Sequence, residues 1–158
     1  MTKLAIPTPV ITTIPVNGSE EVFPVRRVYC IGRNYADHVI EMGNDPKDSP
    51  IFFQKNSDNV DTSGKFPYPP QSNDVHHELE LVMALKSGGS NISEADAYKH
   101  IYGFAVGLDM TRRDLQALAK KGGKPWEVGK AFERSAPMGT LTKIEESGNM
   151  DSGKITLT

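Results

Sequence analysis

From Val75 to Leu85 the chain reads Val-His-His-Glu-Leu-Glu-Leu-Val-Met-Ala-Leu, with polar and apolar positions alternating through its first half. That period predicts a strand. It sets Glu78 and Glu80 on one face, with Leu79, Leu81, Met83 and Leu85 on the other. Shorter runs predict further strands: Arg27 to Ile31 leading into Gly32, Ile51 to Gln54 as a buried strand ending at Lys55, and Tyr102 to Leu108 ending at Asp109. Helix signals are few. Asn34 suits an N-cap for a short helix to about Met42, closed by Gly43. Ser93-Glu94-Ala95-Asp96 has the pattern of a capping box opening a helix to about His100, and Thr111 with Asp114 opens another running to Gly122. Residues 1–24 predict an extended arm or short edge strands, residues 56–75 a loop, and the tail short strands and turns. Mixed spacings and short helices make this an α+β chain with a β-rich core, not a doubly wound parallel sheet.

Composition narrows the class. The 158 residues, 37% hydrophobic and 24% charged, suit one soluble domain with a real core. A net charge of −2 gives no electrostatic case for nucleic acid or an anionic membrane as partner. Cys30 is the single cysteine, which excludes an intrachain disulfide and a cysteine-rich zinc site, and its apolar surroundings predict a buried structural thiol. No apolar stretch is long enough to span a bilayer, and prolines 7, 9 and 15 break the only N-terminal apolar run, so a cytoplasmic protein is the expectation.

The candidate chemistry starts at the two glutamates. Neighbouring carboxylates on one side of an apolar strand repel and are costly to desolvate. A hard divalent cation relieves both problems; a solvated polar face is the plainer alternative. Asp109, at a strand end, suits a third ligand or a simple helix-start acid. His38 and Glu41, three apart, would share a helical face and could deprotonate a water, or form only a surface ion pair. Lys55, Lys130 and the pair Arg113 and Gln116 could bind a substrate carboxylate or a developing oxyanion, or be solvated polar groups. His77 could support Glu78; His76 and His100 carry weaker signals.

Taken together and in order, several strings resemble the fumarylacetoacetate hydrolase family. They are Gly32-Arg33-Asn34-Tyr35-Ala36-Asp37-His38, Phe52-Phe53-Gln54-Lys55, His77-Glu78-Leu79-Glu80-Leu81, Gly107-Leu108-Asp109-Met110-Thr111, Arg113-Asp114-Leu115-Gln116, Lys130-Ala131-Phe132 and Ala136-Pro137-Met138-Gly139. Lys124-Pro125-Trp126-Glu127 is similar to the branch that cleaves short acylpyruvates, fumarylpyruvate in particular, in aromatic degradation. The resemblance implies a mixed β-roll or β-sandwich with few helices, usually a homodimer. Glu78, Glu80 and Asp109 would hold Mg²⁺, with Mn²⁺ or Ca²⁺ as alternatives. His38 and Glu41 would activate water, Lys130 would stabilise the oxyanion, and Arg33, Tyr35, Lys55, Arg113 and Gln116 would contact a small diketo-acid substrate. Oxaloacetate decarboxylase and oxo-dienoate decarboxylase or isomerase activities share this scaffold. The family continues past the point where this chain stops, so the expected organisation is an arm over 1–24 and a catalytic domain over 25–158 that lacks its C-terminal part. A non-catalytic metal-binding fragment or dimerisation partner is the alternative of another class.

Overall fold

The computed structural model describes residues 3–32, 34 and 49–157. The helix expected from Asn34 to Met42 lies outside the described residues, as do Arg33, Tyr35, His38 and Glu41.

Antiparallel pairings build the frame. Strands β1 (Thr13–Pro15) and β2 (Val22–Pro24) form a hairpin within the expected arm. Strand β3 (Val28–Gly32) pairs with β4 (Ile51–Lys55), placing Cys30 opposite Phe53 and Val28 opposite Lys55. Along β4 only Lys55 is buried, while Phe52 is 64% exposed, so the strand expected to be buried is half-exposed. Its period-two pattern turns Phe53 and Lys55 inward with Cys30, and Tyr29, Ile31 and Phe52 outward. The loop expected over 56–75 contains a 3₁₀ turn at Ser57–Asn59 and β5 (Val60–Asp61).

The strand expected from Val75 to Leu85 is broken in two. Strand β6 (Val75–His76) ends before His77, and β7 (Leu79–Leu85) begins after Glu78. Strand β8 (Ile101–Leu108) pairs with β7, whereas β9 (Thr111–Arg112) pairs with β6. One long hairpin is thus interrupted on both arms at the same level, His77-Glu78 facing Asp109-Met110. The Asp109 amide still donates to the Glu78 carbonyl (2.8 Å), but the Met110 amide turns to Ser135 O (3.0 Å). Alternation therefore stops at Glu80 and does not govern Glu78. The expected apolar face is also inverted: Leu81, Met83 and Leu85 are 41 to 56% exposed, and Val82 and Ala84 face the core beside Glu80.

The core gathers Ile14, Val60, Ala84, Ala105, Ala136 and Leu141 where the β1–β2 hairpin, the parallel pair of β5 with β10 (Ala136–Pro137) and the inner face of β7–β8 meet. Strand β11 (Thr142–Lys143) closes the far edge of β8. Close approach there requires Gly103, where an added Cβ would run into the Thr142 carbonyl. We expect Gly103→Ala to destabilise the domain by about 1–3 kcal/mol through overpacking. A thermal melt within 1 °C of wild type would refute the tight β8–β11 contact.

The helices are short: α1 (Glu94–Ala97) continued by a 3₁₀ turn at Tyr98–His100, α2 (Arg113–Lys121), α3 (Glu127–Lys130) and α4 (Ile144–Ser147). Thr111, expected to cap α2, lies instead in β9, and Arg112 takes the N-cap position. Asp114 accepts from Ser72 Oγ (2.7 Å) and from the Asn73 amide (3.1 Å), tying the loop before β6 to the start of the helix. No helix among the described residues is long and apolar enough to cross a membrane.

Candidate active site

The double break in the hairpin leaves Glu78 and Asp109 adjacent, with backbone that no ladder completes. Four other elements converge on it. Helix α2 starts directly after β9 and carries Arg113 and Gln116 on one face. Gln116, 4% exposed, packs on Gly129, where an added Cβ would lie 2.9 Å from the Gln116 amide nitrogen. That contact lets α3 approach closely enough to deliver Lys130. Strands β3 and β4 supply Cys30, Phe53 and Lys55 from the opposite side.

Lys130 is the centre of the arrangement and is 2% exposed. Its Nζ donates to Glu78 Oε2 (2.7 Å), Asp109 Oδ2 (2.6 Å) and Thr111 Oγ1 (2.7 Å). An ammonium has three donors, so all are in use. Arg113 donates from Nη2 to Glu78 Oε1 and from Nη1 to Gln116 Oε1 (2.6 Å). Lys55, 3% exposed, donates to the Met110 carbonyl (3.2 Å) and to the Lys130 carbonyl, and its Nζ lies 2.9 Å from Asp109 Oδ1. That last pair is close but poorly aligned, so the buried Oδ1 makes no hydrogen bond.

The charges shape one another. Burial draws the Glu78 carboxyl upward, but Lys130 and then Arg113 outweigh it and hold the group below its ordinary value. Burial lowers Lys55 despite the opposing pull of Asp109. Cys30 is only partly buried, and its thiol is pushed up to about 12, by burial first and by Asp109 second, with Glu80 adding to the same effect. A thiol so far from ionisation is a poor nucleophile. We expect no labelling of the folded protein by an aromatic disulfide reagent within minutes at pH 8, and stoichiometric labelling in denaturant. Rapid labelling of the folded chain would show a stabilised thiolate instead.

The structure thus brings together Glu78, Asp109, Lys130, Lys55, Arg113 and Gln116. Glu80 stands on β7 opposite Gly107, near enough for its charge to act on Cys30. Among the described residues, no three acidic, histidine or cysteine side chains converge to ligating distance. The donor chemistry nevertheless suits a hard divalent cation: all-oxygen carboxylate ligands, including an Asp109 oxygen that is buried with a lone pair unspent. His76 Nδ1 lies 3.4 Å from Arg113 Nε at the rim, whereas His100 pairs with Ser87, remote from the cluster. Sequence reasoning missed Thr111 as a partner of Lys130, and missed Phe53, whose ring centre is 5.0 Å from Lys130 Nζ. The spacing of Phe53 two residues before Lys55 was the available signal for the latter.

The model of the fumarylacetoacetate (FAA) hydrolase C-terminal family matches residues 27–158. An oxaloacetate tautomerase of Caenorhabditis elegans is 38% identical over 124 residues, covering 78% of this chain and 58% of the relative. An oxaloacetate tautomerase of Escherichia coli is 36% identical over 137 residues, covering 85% and 63%. The crystal structure of fumarylpyruvate hydrolase from Pseudomonas aeruginosa, in complex with Mn²⁺ and pyruvate, superposes with a TM-score of 0.87 at 46% identity, over 92% of this chain and 65% of that one. The chain therefore spans about three-fifths of the length of the relatives it matches.

Proposed function

The chain belongs to the fumarylacetoacetate hydrolase family, and from that premise we propose that it hydrolyses a carbon–carbon bond in a 2,4-diketo acid, releasing pyruvate and a carboxylic acid. The observation that carries this reading is the buried Lys130 ammonium, held between two carboxylates with Arg113 beside it. The similarity to a fumarylpyruvate hydrolase bound to Mn²⁺ and pyruvate supports it, and fumarylpyruvate is the favoured substrate.

Glu78, Glu80 and Asp109 would hold Mg²⁺ or Mn²⁺. Bound there, the cation would supply positive charge to the 2-oxo acid end of the substrate. Arg113, steadied by Gln116, binds the adjacent carboxylate in fork geometry. His38 and Glu41 take a proton from water, whose oxygen adds to the distal carbonyl. Lys130 donates to the oxyanion that forms, using donors otherwise spent on Glu78 and Asp109. The bond between the former carbonyl carbon and the methylene carbon then breaks. Its electron pair becomes the pyruvate enolate, and the proton held by His38 completes pyruvate at that methylene. Lys55 orients Asp109 and the Lys130 backbone, so it positions the site rather than reading the substrate. A homodimer fits the exposed apolar stripe of Leu81, Met83 and Leu85.

A second reading rests on the curated relatives. Two are oxaloacetate tautomerases, and a Dictyostelium discoideum relative at 34% identity is an oxaloacetate decarboxylase. Those reactions need the enolate-stabilising groups but no attacking water. The deciding experiment measures pyruvate release from fumarylpyruvate and from oxaloacetate, together with keto–enol exchange of oxaloacetate, in Mg²⁺ and in chelator. Chelator-sensitive release from fumarylpyruvate, abolished by Glu80→Gln, is the expected result. Activity on oxaloacetate alone would move the assignment to the second reading, and no activity on either would leave a binding role.

A further inference from the structure

One face of α2 carries Arg113, Gln116 and Lys120, at spacings of three and four residues. Arg113 and Gln116 belong to the carboxylate cluster; Lys120 lies roughly 10 Å further along the helix axis at 1.5 Å per residue. Lys120 is exposed, and its Nζ sits 5.4 Å from the ring centre of Trp126. Among the described residues, no carboxylate lies within ion-pair distance of it. Trp126 packs on Phe53 with ring centres 5.8 Å apart and planes tilted by 53°. Phe53 in turn lies beside Lys130. A continuous ladder therefore runs from the buried ammonium of the cluster, across two aromatic rings, to an exposed ammonium.

Both rings remain partly exposed, and each fronts a cation. Resting on the diketo-acid reading above, we propose that Phe53, Trp126 and Lys120 form the subsite for the acyl end of the substrate. It selects an acyl group that is flat, conjugated and terminated by a second carboxylate. Such a group stacks on the rings, while its carboxylate pairs with Lys120. The dimensions agree. A seven-carbon diacid spans about 7 Å between its end carbons at the ~1.2 Å per bond of an extended chain. With hydrogen bonds added at both ends, that length is of the same order as the ~10 Å of helix rise between Arg113 and Lys120. Short substrates such as acetylpyruvate or oxaloacetate would leave the ladder unused.

Trp126 is the single tryptophan, so its emission reports the subsite directly. The experiment titrates the Mg²⁺-containing protein with fumarylpyruvate and with acetylpyruvate, reading absorbance-corrected emission and initial rates for wild type, Lys120→Gln and Lys120→Arg. Fumarylpyruvate should quench Trp126 and acetylpyruvate should not. Lys120→Gln should lower kcat/KM for fumarylpyruvate about three- to fivefold more than for acetylpyruvate, with the loss in KM, and Lys120→Arg should recover most of it. Equal losses for both substrates, or equal quenching by both, would overturn the subsite. Quenching by fumarylpyruvate without pyruvate release would keep the subsite while refuting the hydrolase reading. An absence of any emission response would refute the subsite whatever the rates.

Discussion

Lys130→Met should lower the melting temperature by about 10 °C and pyruvate release by about 10²–10³-fold. The side chain is buried and donates to Glu78, Asp109 and Thr111 at 2.6 to 2.7 Å, so its loss removes the cation the two carboxylates share and leaves Arg113 alone to compensate Glu78 and Lys55 alone to compensate Asp109. Breaking a buried pair in this way costs about 3–5 kcal/mol, a large part of the roughly 5–15 kcal/mol that holds a domain together. The rate loss follows from removing a donor aimed at an oxyanion. The stability loss should be partly reversible. Glu78 and Asp109 would then suit Mg²⁺ better than before, and a cation at 100 times its dissociation constant restores about 2.7 kcal/mol. Melting curves with and without Mg²⁺ test this, and a wild-type melting temperature in chelator would show that Lys130 does not organise the cluster.

Asp109→Asn should be at least as damaging, with the opposite response to metal. Asp109 faces two buried ammonium groups, Lys55 at 2.9 Å and Lys130 at 2.6 Å. Neutralising it leaves both cations under-compensated, again at about 3–5 kcal/mol. The amide keeps the shape, so packing does not explain the loss. A divalent cation adds positive charge to a site already in excess of it, so Mg²⁺ should give no thermal recovery and activity should fall below detection. Recovery by Mg²⁺ equal to that of Lys130→Met would sink the assignment of Asp109 as a ligand. The double variant Lys130→Met, Asp109→Asn should be less destabilised than the sum of the single ones, since each removes the other's unpaired charge.

How much of this was legible in the sequence varies with the kind of signal. The β8 run from Ile101 to Leu108 is apolar and continuous, and the strand is where that run puts it. Strands β3 and β4 and the α1 start at Ser93 were equally plain, because local pattern acts within a few residues; the capping box expected at Ser93 does not form, since its hydroxyl donates to the Asp96 carboxylate (2.6 Å) and caps no backbone amide. Thr111 departs from its expected capping role for a physical reason. Its hydroxyl looked like a helix cap, but a better acceptor role waited 19 residues away at Lys130. The inverted faces of β7 failed similarly: alternation says which residues share a face, and only the neighbours of that face say whether it is covered.

For the site, the sequence by itself determined the chemical inventory: three carboxylates in two short strings, a lysine after Gly129, and Arg113 and Gln116 one helical turn apart. Residue type and short spacing decide those properties, and they already pointed to the family. The tertiary structure decided what the inventory is set to do. It broke the hairpin at Glu78 and Asp109 together, drove Lys130 between them through the contact of Gly129 with Gln116, and turned Lys55 onto Asp109. It also joined Phe53, Trp126 and Lys120 into one line from residues 67 to 73 positions apart or separated by a loop. Burial and charge compensation act through space, between groups far apart in the chain, and no local period encodes them.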